Sequence, residues 1–290
     1  MTRLCKAGSV SIGTGQPLAI IAGPCVLETK ELGLEIARTV GEACDRLGLS
    51  YIFKASFDKA NRSSITSPRG PGLERGVAWI HEIGIETKRP TTTDIHDPSQ
   101  AEPIATSIDL LQIPAFLCRQ TDLLAAAGAA ASRHGRGVNV KKGQFLAPGD
   151  MRGPVKKLAE AGCSNVMCTE RGTTFGYGRL VNDFLGVGDL IELKAEGGSP
   201  PVCFDATHST QLPGGGSVGG GAEQTGGRPD RAPLLARAAV AAGVHAVFLE
   251  CHPEPSKGMS DAATMLPLKD VPALLQDLAA IRKALPKAIV

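Results

Sequence analysis

An alternation repeated along the whole chain limits the fold more than any other feature. Short runs of apolar and β-branched residues are each followed by a longer amphipathic run. "LAIIAG" leads through Pro24 and Cys25 into "ETKELGLEIARTVGEACDRLG"; "YIFKAS" precedes "GLERGVAWIHEIG"; "IETKRPTTTDI" precedes "DPSQAEPIAT"; "DLLQIP" precedes "QTDLLAAAGAAASRHG". The pattern continues with "VNVKKGQ" and "GDMRGPVKKLAEAG", "NVMCTER" and "GRLVNDFLGVGDLIELKAEG", "PVCFDATH" and "RAPLLARAAVAAG", "AVFLECH" and "LKDVPALLQDLAAIRKAL". The short runs are nearly continuous in apolar residues, as parallel strands covered on both faces require. About eight strand–helix units is the count of a closed (β/α)₈ barrel, and 290 residues suit one such barrel. The expected fold is therefore α/β, a single TIM-barrel catalytic domain over 1–290, with a short N-terminal hairpin before Leu18 plugging the barrel floor. Glycines at 48, 162 and 243 mark helix ends, and "QTD" is read as a helix N-cap.

Composition narrows the function. The net charge is only +2, and no basic stripe stands out, so neither nucleic acid nor a membrane surface is an expected partner. No run approaches the roughly 18 apolar residues of a membrane helix. The start lacks an apolar signal core, and the eight cysteines are scattered without a repeated C-x-x-C, so reduced thiols and a cytoplasmic location are expected. The glycine-rich stretch 213–229 interrupts the pattern after the seventh strand. It reads either as a disordered insertion or as a mobile active-site flap.

The ends of the strands carry the chemistry. "KASFDKANRSS", residues 54–64, crowds three cations with hydroxyl and amide groups directly after a buried strand. Reading the strand ends in order gives Cys25, Lys54 with Lys59, Asp94, Gln112, Lys141, Arg171, His208 and Glu250. Lys54, Lys59, Arg62, Lys141 and Arg171 form a cationic set, which is costly to bury unless anionic ligands neutralise it. Cys25, His208, Glu250 and Asp261 are metal-ligand types; thiolate with imidazole suits Zn²⁺ or Fe²⁺, and carboxylates widen the choice to Mn²⁺. Simpler readings stand beside each. One of Lys141 and Lys142 could be a surface lysine, Arg171 could pair with Glu170, Asp94 could cap a helix, and Cys25 could be a small core residue. His252 and Asp205 are rival ligands.

Several long blocks together resemble a known family. "IAGPCVLE", "FKASFDKANRSS", "GPGLERG", "TTTDIHDPSQ", "DLLQIPAFLCRQTDLL", "VNVKKGQFLAPGDM", "TERGTTFGYGRLVNDF", "FDATHSTQLPGG" and "ECHPEPSKGMSDAATMLPL" are similar, in this order, to the 3-deoxy-D-manno-octulosonate 8-phosphate synthases. The resemblance covers residues 18 to 268. It implies condensation of phosphoenolpyruvate with D-arabinose 5-phosphate and water for lipopolysaccharide biosynthesis. It implies that Lys59, Lys141 and Arg171, with Lys54 nearby, hold phosphoenolpyruvate, and that Asn61, Arg62 and Ser63 receive the sugar, with Arg62 on its phosphate. Asp94, Gln112 and Gln144 fall in the same blocks and are assigned to the substrates. Phe116 and Arg119 resemble residues that reach into a neighbour's site within a homotetramer. The family's metal-independent members carry Asn where this chain has Cys25. Cys25 and "SDAAT" are similar to the metal-dependent branch, with Cys25, His208, Glu250 and Asp261 as ligands of a divalent ion (Mn, Zn or Fe). His208, Lys59, Lys141 and Asp261 are then the expected catalytic groups, with His208 relaying a proton where it is not fully committed as a ligand. The related 3-deoxy-D-arabino-heptulosonate 7-phosphate synthases, which use erythrose 4-phosphate, are the alternative; they carry a Lys-Pro-Arg-type loop in place of "KANRSS". The glycine-rich stretch is longer than the resemblance leads one to expect.

Overall fold

The computed structural model describes residues 2–60, 68–213 and 226–286. An antiparallel hairpin, β1 (Cys5–Ala7) and β2 (Val10–Ile12), comes first. Next are β3 (Ala19–Gly23), α1 (Lys30–Leu47), β4 (Ser50–Lys54), α2 (Leu73–Thr87), β5 (Thr91–Asp94), α3 (Ala101–Ala105), β6 (Leu110–Ile113) and α4 (Thr121–His134). Then follow β7 (Gly137–Lys141), α5 (Arg152–Glu160), β8 (Val166–Glu170), α6 (Phe184–Ile191) and β9 (Val202–Asp205). The short strands β10 (Gln211–Leu212) and β11 (Gly226–Gly227) pair with each other before α7 (Ala232–Ala241), β12 (Ala246–His252), β13 (Leu266–Pro267) and α8 (Val271–Ala284). Strands β3 to β9 pair in chain order and all in parallel, and β12 pairs with both β9 and β3, which closes the barrel. The short β13 lies beside the end of β12.

Strand periodicity decides what the barrel holds. Successive side chains point to opposite faces. In β3, Ile20 and Ala22 join the outer core under the helices, whereas Ala19 and Ile21 join an inner cluster. The inner cluster also takes Ile52, Leu110, Met167, Cys203, Ala246 and Phe248, together with Cys5, Ala7, Val10 and Ile12 of the hairpin. The hairpin therefore plugs the floor, as its sequence position suggested. Asn165 ties it down, accepting from the Lys6 N–H at 2.7 Å and donating to the Lys6 carbonyl at 2.9 Å. The same inward phase, continued toward the strand ends, brings Lys54, Asp94, Gln112, Lys141, Asp205 and Glu250 onto the upper interior. The barrel is thus apolar at the bottom and polar at the top.

Local signals set most boundaries. Thr29 caps α1 by accepting from the Leu32 N–H at 3.1 Å, and Gly48 ends it in the left-handed region at φ 67°. Gly23 is required for another reason: a Cβ there would lie 1.8 Å from the Lys54 carbonyl oxygen, so any side chain would push β3 from β4. Some readings differ from the structure. Ile85–Thr87 belong to α2, because Lys88 closes that helix at φ 55°, so the third strand starts only at Thr91. The long run 178–197 yields a helix only over Phe184–Ile191, capped by Asp183, because Val181 instead pairs with Thr173 through two backbone hydrogen bonds. Gln120 occupies the N-cap of α4 but makes no capping bond through its side chain.

Every cysteine is free and buried. Among the described residues, no helix is long and apolar enough to cross a membrane. Asn61, Arg62 and Ser63, and most of the glycine-rich stretch, lie outside the described residues.

Candidate active site

Three connected groups of polar side chains occupy the C-terminal end of the barrel. The first centres on Asp205, at the end of β9 and fully buried. Its Oδ2 accepts from Lys141 Nζ and from His208 Nδ1, both at 2.7 Å; its Oδ1 accepts from the His208 N–H at 2.9 Å and the Thr207 hydroxyl at 3.1 Å. Burial alone would raise the Asp205 pKa, but His208 and Lys141 hold it well below the usual carboxylate range. Lys141 Nζ also sits 3.7 Å from the centroid of the Phe248 ring, a cation–π contact over the inner apolar cluster.

The second group lies beside the first. With Nδ1 engaged by Asp205, His208 turns Nε2 toward Glu250 Oε2 at 3.5 Å and Asp261 Oδ2 at 3.8 Å. Cys25 Sγ donates to Asp261 Oδ2 at 3.2 Å, and ligand atoms of Cys25, Glu250 and Asp261 all lie within 4.8 Å of one another. Glu250 Oε1 pairs with Lys54 Nζ, whereas Oε2 is buried without a hydrogen-bond partner. Burial opposes the Glu250 charge, yet His208, Lys54, Lys59 and Lys141 bring its pKa down to about 2. Burial followed by the charge of Glu250 pushes the Cys25 thiol up. Asp261 adopts φ 49°, a left-handed conformation uncommon for a residue with a side chain.

This donor set fits a divalent cation. A thiol and two carboxylates meet within one small volume, and the His208 Nε2 faces both carboxylates from beside it. One carboxylate oxygen there is buried and unpartnered, which a cation would satisfy. The rivals are otherwise occupied. His252 Nδ1 accepts from the Glu254 N–H at 2.9 Å, and its Nε2 faces Glu28 at 3.7 Å. Asp205 orients His208 rather than joining the cluster.

The third group runs across the barrel interior. Asp94 accepts from the Ser56 hydroxyl and from Gln112 Nε2, and Lys59 Nζ donates to Ser56 Oγ at 3.2 Å. Burial penalises the Asp94 charge, but Lys54, Lys59 and Lys141 hold its pKa well below the usual range. Burial likewise disfavours charged Lys59, and Cys25, Glu250, Asp94 and Asp261 outweigh it, keeping that amine more basic than an ordinary lysine. Asp94 thus serves the barrel interior and caps no helix; Asp97 caps the following turn by accepting from Ser99 N–H at 2.9 Å.

Two further expectations about the cations resolve here. Glu170 does not neutralise the Arg171 guanidinium: its Oε1 accepts the backbone N–H groups of Arg171 at 2.9 Å and Gly172 at 2.7 Å. Arg171 is 5% exposed, bonds Gln211 Oε1 through Nη2, and leaves Nη1 buried and without a partner. Its burial lowers its pKa from the ordinary arginine value. Gln144 Oε1 is likewise buried and unpartnered. Lys142 is not a surface lysine. It is 1% exposed and donates to the carbonyls of Leu146 at 3.0 Å and Gly143 at 3.3 Å, with Glu170 at 3.4 Å.

The comparisons with known proteins agree over nearly the full length. The model of the DAHP synthetase I family matches residues 2–285. The chain belongs to that family. Its relatives there include proteins named 2-dehydro-3-deoxyphosphooctonate aldolase. One from Nitratidesulfovibrio vulgaris (strain DP4) is 54% identical over 262 residues, 90% of this chain and 91% of the relative. One from Cyanothece sp. (strain PCC 7425 / ATCC 29141) is 50% identical over 285 residues, 98% of this chain and 99% of the relative. One from Synechococcus sp. (strain ATCC 27144 / PCC 6301 / SAUG 1402/1) is 47% identical over 279 residues, 96% and 93% of the two chains.

In this member of the family, Phe116 and Arg119 stand apart from the buried groups. Both are exposed in the turn after β6, Phe116 by 59%, and the Arg119 carbonyl accepts from Lys157 Nζ at 3.0 Å. Sequence reasoning passed over Ser56, Asn139, Thr169 and Thr207. A signal for two of them was present: Asn139 lies two positions before Lys141 and Thr169 two before Arg171, in the inward phase of their strands.

Proposed function

We propose that this chain condenses phosphoenolpyruvate with D-arabinose 5-phosphate and water, giving 3-deoxy-D-manno-octulosonate 8-phosphate and inorganic phosphate. The observation that carries the reading is the buried cationic rim, above all Arg171 with an unpartnered Nη1 beside the barrel mouth. A buried guanidinium nitrogen without an acceptor is costly, and a carboxylate or phosphate would supply one. The name carried by the relatives favours the eight-carbon product over the heptulosonate alternative.

In the proposed reaction, C3 of the enol attacks the aldehyde C1 of the sugar while water adds at C2. The resulting hemiketal phosphate collapses with C–O cleavage and releases phosphate. Lys59, Lys141 and Arg171, with Lys54 behind them, neutralise the phosphate and carboxylate of phosphoenolpyruvate; their charges are in place before the reaction and need no reorganisation. Asp94, Gln112 and Gln144 orient the two substrates, and Asn61, Arg62 and Ser63 receive the sugar. Asp205 holds Lys141 and His208 at a shared carboxylate and keeps the His208 proton on Nδ1. Cys25, His208, Glu250 and Asp261 would hold a divalent ion (Mn, Zn or Fe), which when bound supplies a Lewis acid for a substrate oxygen or water. On this reading His208 and Asp261 act chiefly as ligands.

The direct test is phosphate release from phosphoenolpyruvate with either arabinose 5-phosphate or erythrose 4-phosphate. The eight-carbon reading expects turnover with the first sugar and little with the second; the reverse preference sinks it. Arg62→Ala should raise the KM for arabinose 5-phosphate far more than that for phosphoenolpyruvate, a loss of about 2–4 kcal/mol in kcat/KM if a bidentate phosphate contact is removed. Equal effects on both substrates would reassign Arg62.

We further assign the chain to a cytoplasmic homotetramer in which Phe116 and Arg119 complete a neighbour's site. An exposed phenylalanine beside the barrel mouth supports this. Mixing a Phe116→Ala/Arg119→Ala variant with a Lys141→Ala variant and reassociating them should restore part of the activity that neither has alone. Full activity in a protein that sediments as a monomer would end the idea.

A further inference from the structure

A chain of side-chain hydrogen bonds crosses the closed interior and ends on Asp94. Thr169 Oγ1 donates to Asn139 Oδ1 at 2.7 Å, Asn139 Nδ2 donates to Gln112 Oε1 at 3.0 Å, and Gln112 Nε2 donates to Asp94 Oδ1. Thr169, Asn139 and Gln112 are each fully buried, on β8, β7 and β6. None of these three bonds belongs to the strand ladder; Asp94, Gln112 and Asn139 are register partners across β5, β6 and β7, and Thr169 follows two positions after Met167, the register partner of Asn139.

The direction of this chain follows from one charge. Ionised Asp94 accepts and cannot donate. Gln112 must therefore face it with Nε2, which leaves Oε1 toward Asn139. Asn139 must answer with Nδ2, which leaves Oδ1 toward Thr169, and Thr169 must donate. Reversing Gln112 would set acceptor against acceptor at Asp94 and donor against donor at Asn139, and reversing Asn139 alone would set acceptor against acceptor at Gln112. The far end matters as much: among the described residues Thr169 supplies the one donor to Asn139 Oδ1, and both residues are fully buried.

We propose that Asn139 and Thr169 are positioning residues for the reaction, holding Gln112 and, through it, Asp94 in the one orientation the substrates use. The side-chain bonds of Asn139 run to Gln112 and Thr169, so the pair acts through Gln112 and not on a substrate. The proposal rests on the condensation reading, and on Asp94 and Gln112 facing the substrates within it.

Thr169→Val tests this, since it keeps the shape and removes the donor. Its kinetics would be measured with phosphoenolpyruvate and arabinose 5-phosphate, alongside thermal unfolding. Loss of the anchor frees both amides, and kcat should fall about 10- to 100-fold, the scale on which small misplacements of reacting groups act. The two KM values should move less than kcat, and Thr169→Ser, which keeps the hydroxyl, should restore most of the rate. Thr169→Ala, which cannot overfill the site, carries the same expectation if the valine variant does not fold. Parental kcat in the folded valine or alanine variant overturns the proposal, even if the melting temperature drops. So does a serine variant as slow as the valine one. Failure of the unaltered protein to release phosphate from these substrates would count instead against the condensation reading.

Discussion

Chelator treatment is expected to abolish turnover of the unaltered protein, and Cys25→Asn is expected to lose metal while keeping measurable turnover in chelator. Cys25 is 1% exposed and sits 3.2 Å from Asp261 Oδ2, within the cluster that includes Glu250. With no cation present, a neutral thiol faces two carboxylates, one of which has a buried, unpartnered oxygen. An asparagine amide is a poor metal ligand, but it is a donor. Its N–H groups can answer Asp261 and Glu250 in place of the ion and keep the two carboxylates apart. Cys25→Ala offers neither thiolate nor donor, so it should lose both metal and most of the activity. Elemental analysis paired with phosphate release, with chelator and after adding back Mn²⁺, Zn²⁺ or Fe²⁺, separates these outcomes. Metal bound as tightly by Cys25→Asn as by the parent would remove Cys25 from the ligand set.

Lys141→Met should be the most damaging single change to the cationic rim. Lys141 is 6% exposed, and it is one of two cationic-type partners of a carboxylate that is fully buried. Breaking a buried ion pair by removing one member costs about 3–5 kcal/mol, because the remaining charge is left uncompensated. Methionine preserves most of the apolar stem over Phe248, so the loss reads the charge and not the packing. Turnover should fall about 10²–10³-fold, the usual effect of removing one preorganised electrostatic group. A second substitution distinguishes the two losses. Lys141→Met with Asp205→Asn should recover much of the denaturant midpoint, since no unpaired carboxylate remains, and should recover none of the activity. Near-parental turnover in the single variant would take Lys141 out of the substrate site.

Much of this was readable before any coordinates. Parallel strands buried on both faces have to be apolar, and helices packed on them have to be amphipathic. The alternation of such runs therefore named the barrel and located its strands. Barrel strands also expose their C-terminal ends to the mouth, so the polar residues there, from Cys25 to Glu250, could be picked out in order. Where the reading strayed, backbone contacts within the loops had overruled the periodic signal. The pairing of Val181 with Thr173 shortened α6, and the carbonyls of Gly143 and Leu146 drew Lys142 inside.

What the residues along the chain could not say is which of them meet. Cys25 and Asp261 are separated by 236 positions, and Lys54 and Glu250 by 196. They become neighbours only because β12 closes the barrel against β3, with Glu250 in register with Gly23. Likewise, nothing local distinguishes Asp205 as a holder of Lys141 and His208 from Asp205 as a ligand. That choice is made by the register of β7, β8 and β9, which places Lys141 within 2.7 Å of its carboxylate. Periodicity depends on each residue and its near neighbours, so the sequence alone determined the order of strands and helices and the polar strand ends, but not every boundary. Pairing depends on barrel closure, a property of the whole chain, so only the tertiary structure decided the donor cluster, the ion pairs and the hydrogen-bond chain from Thr169 to Asp94.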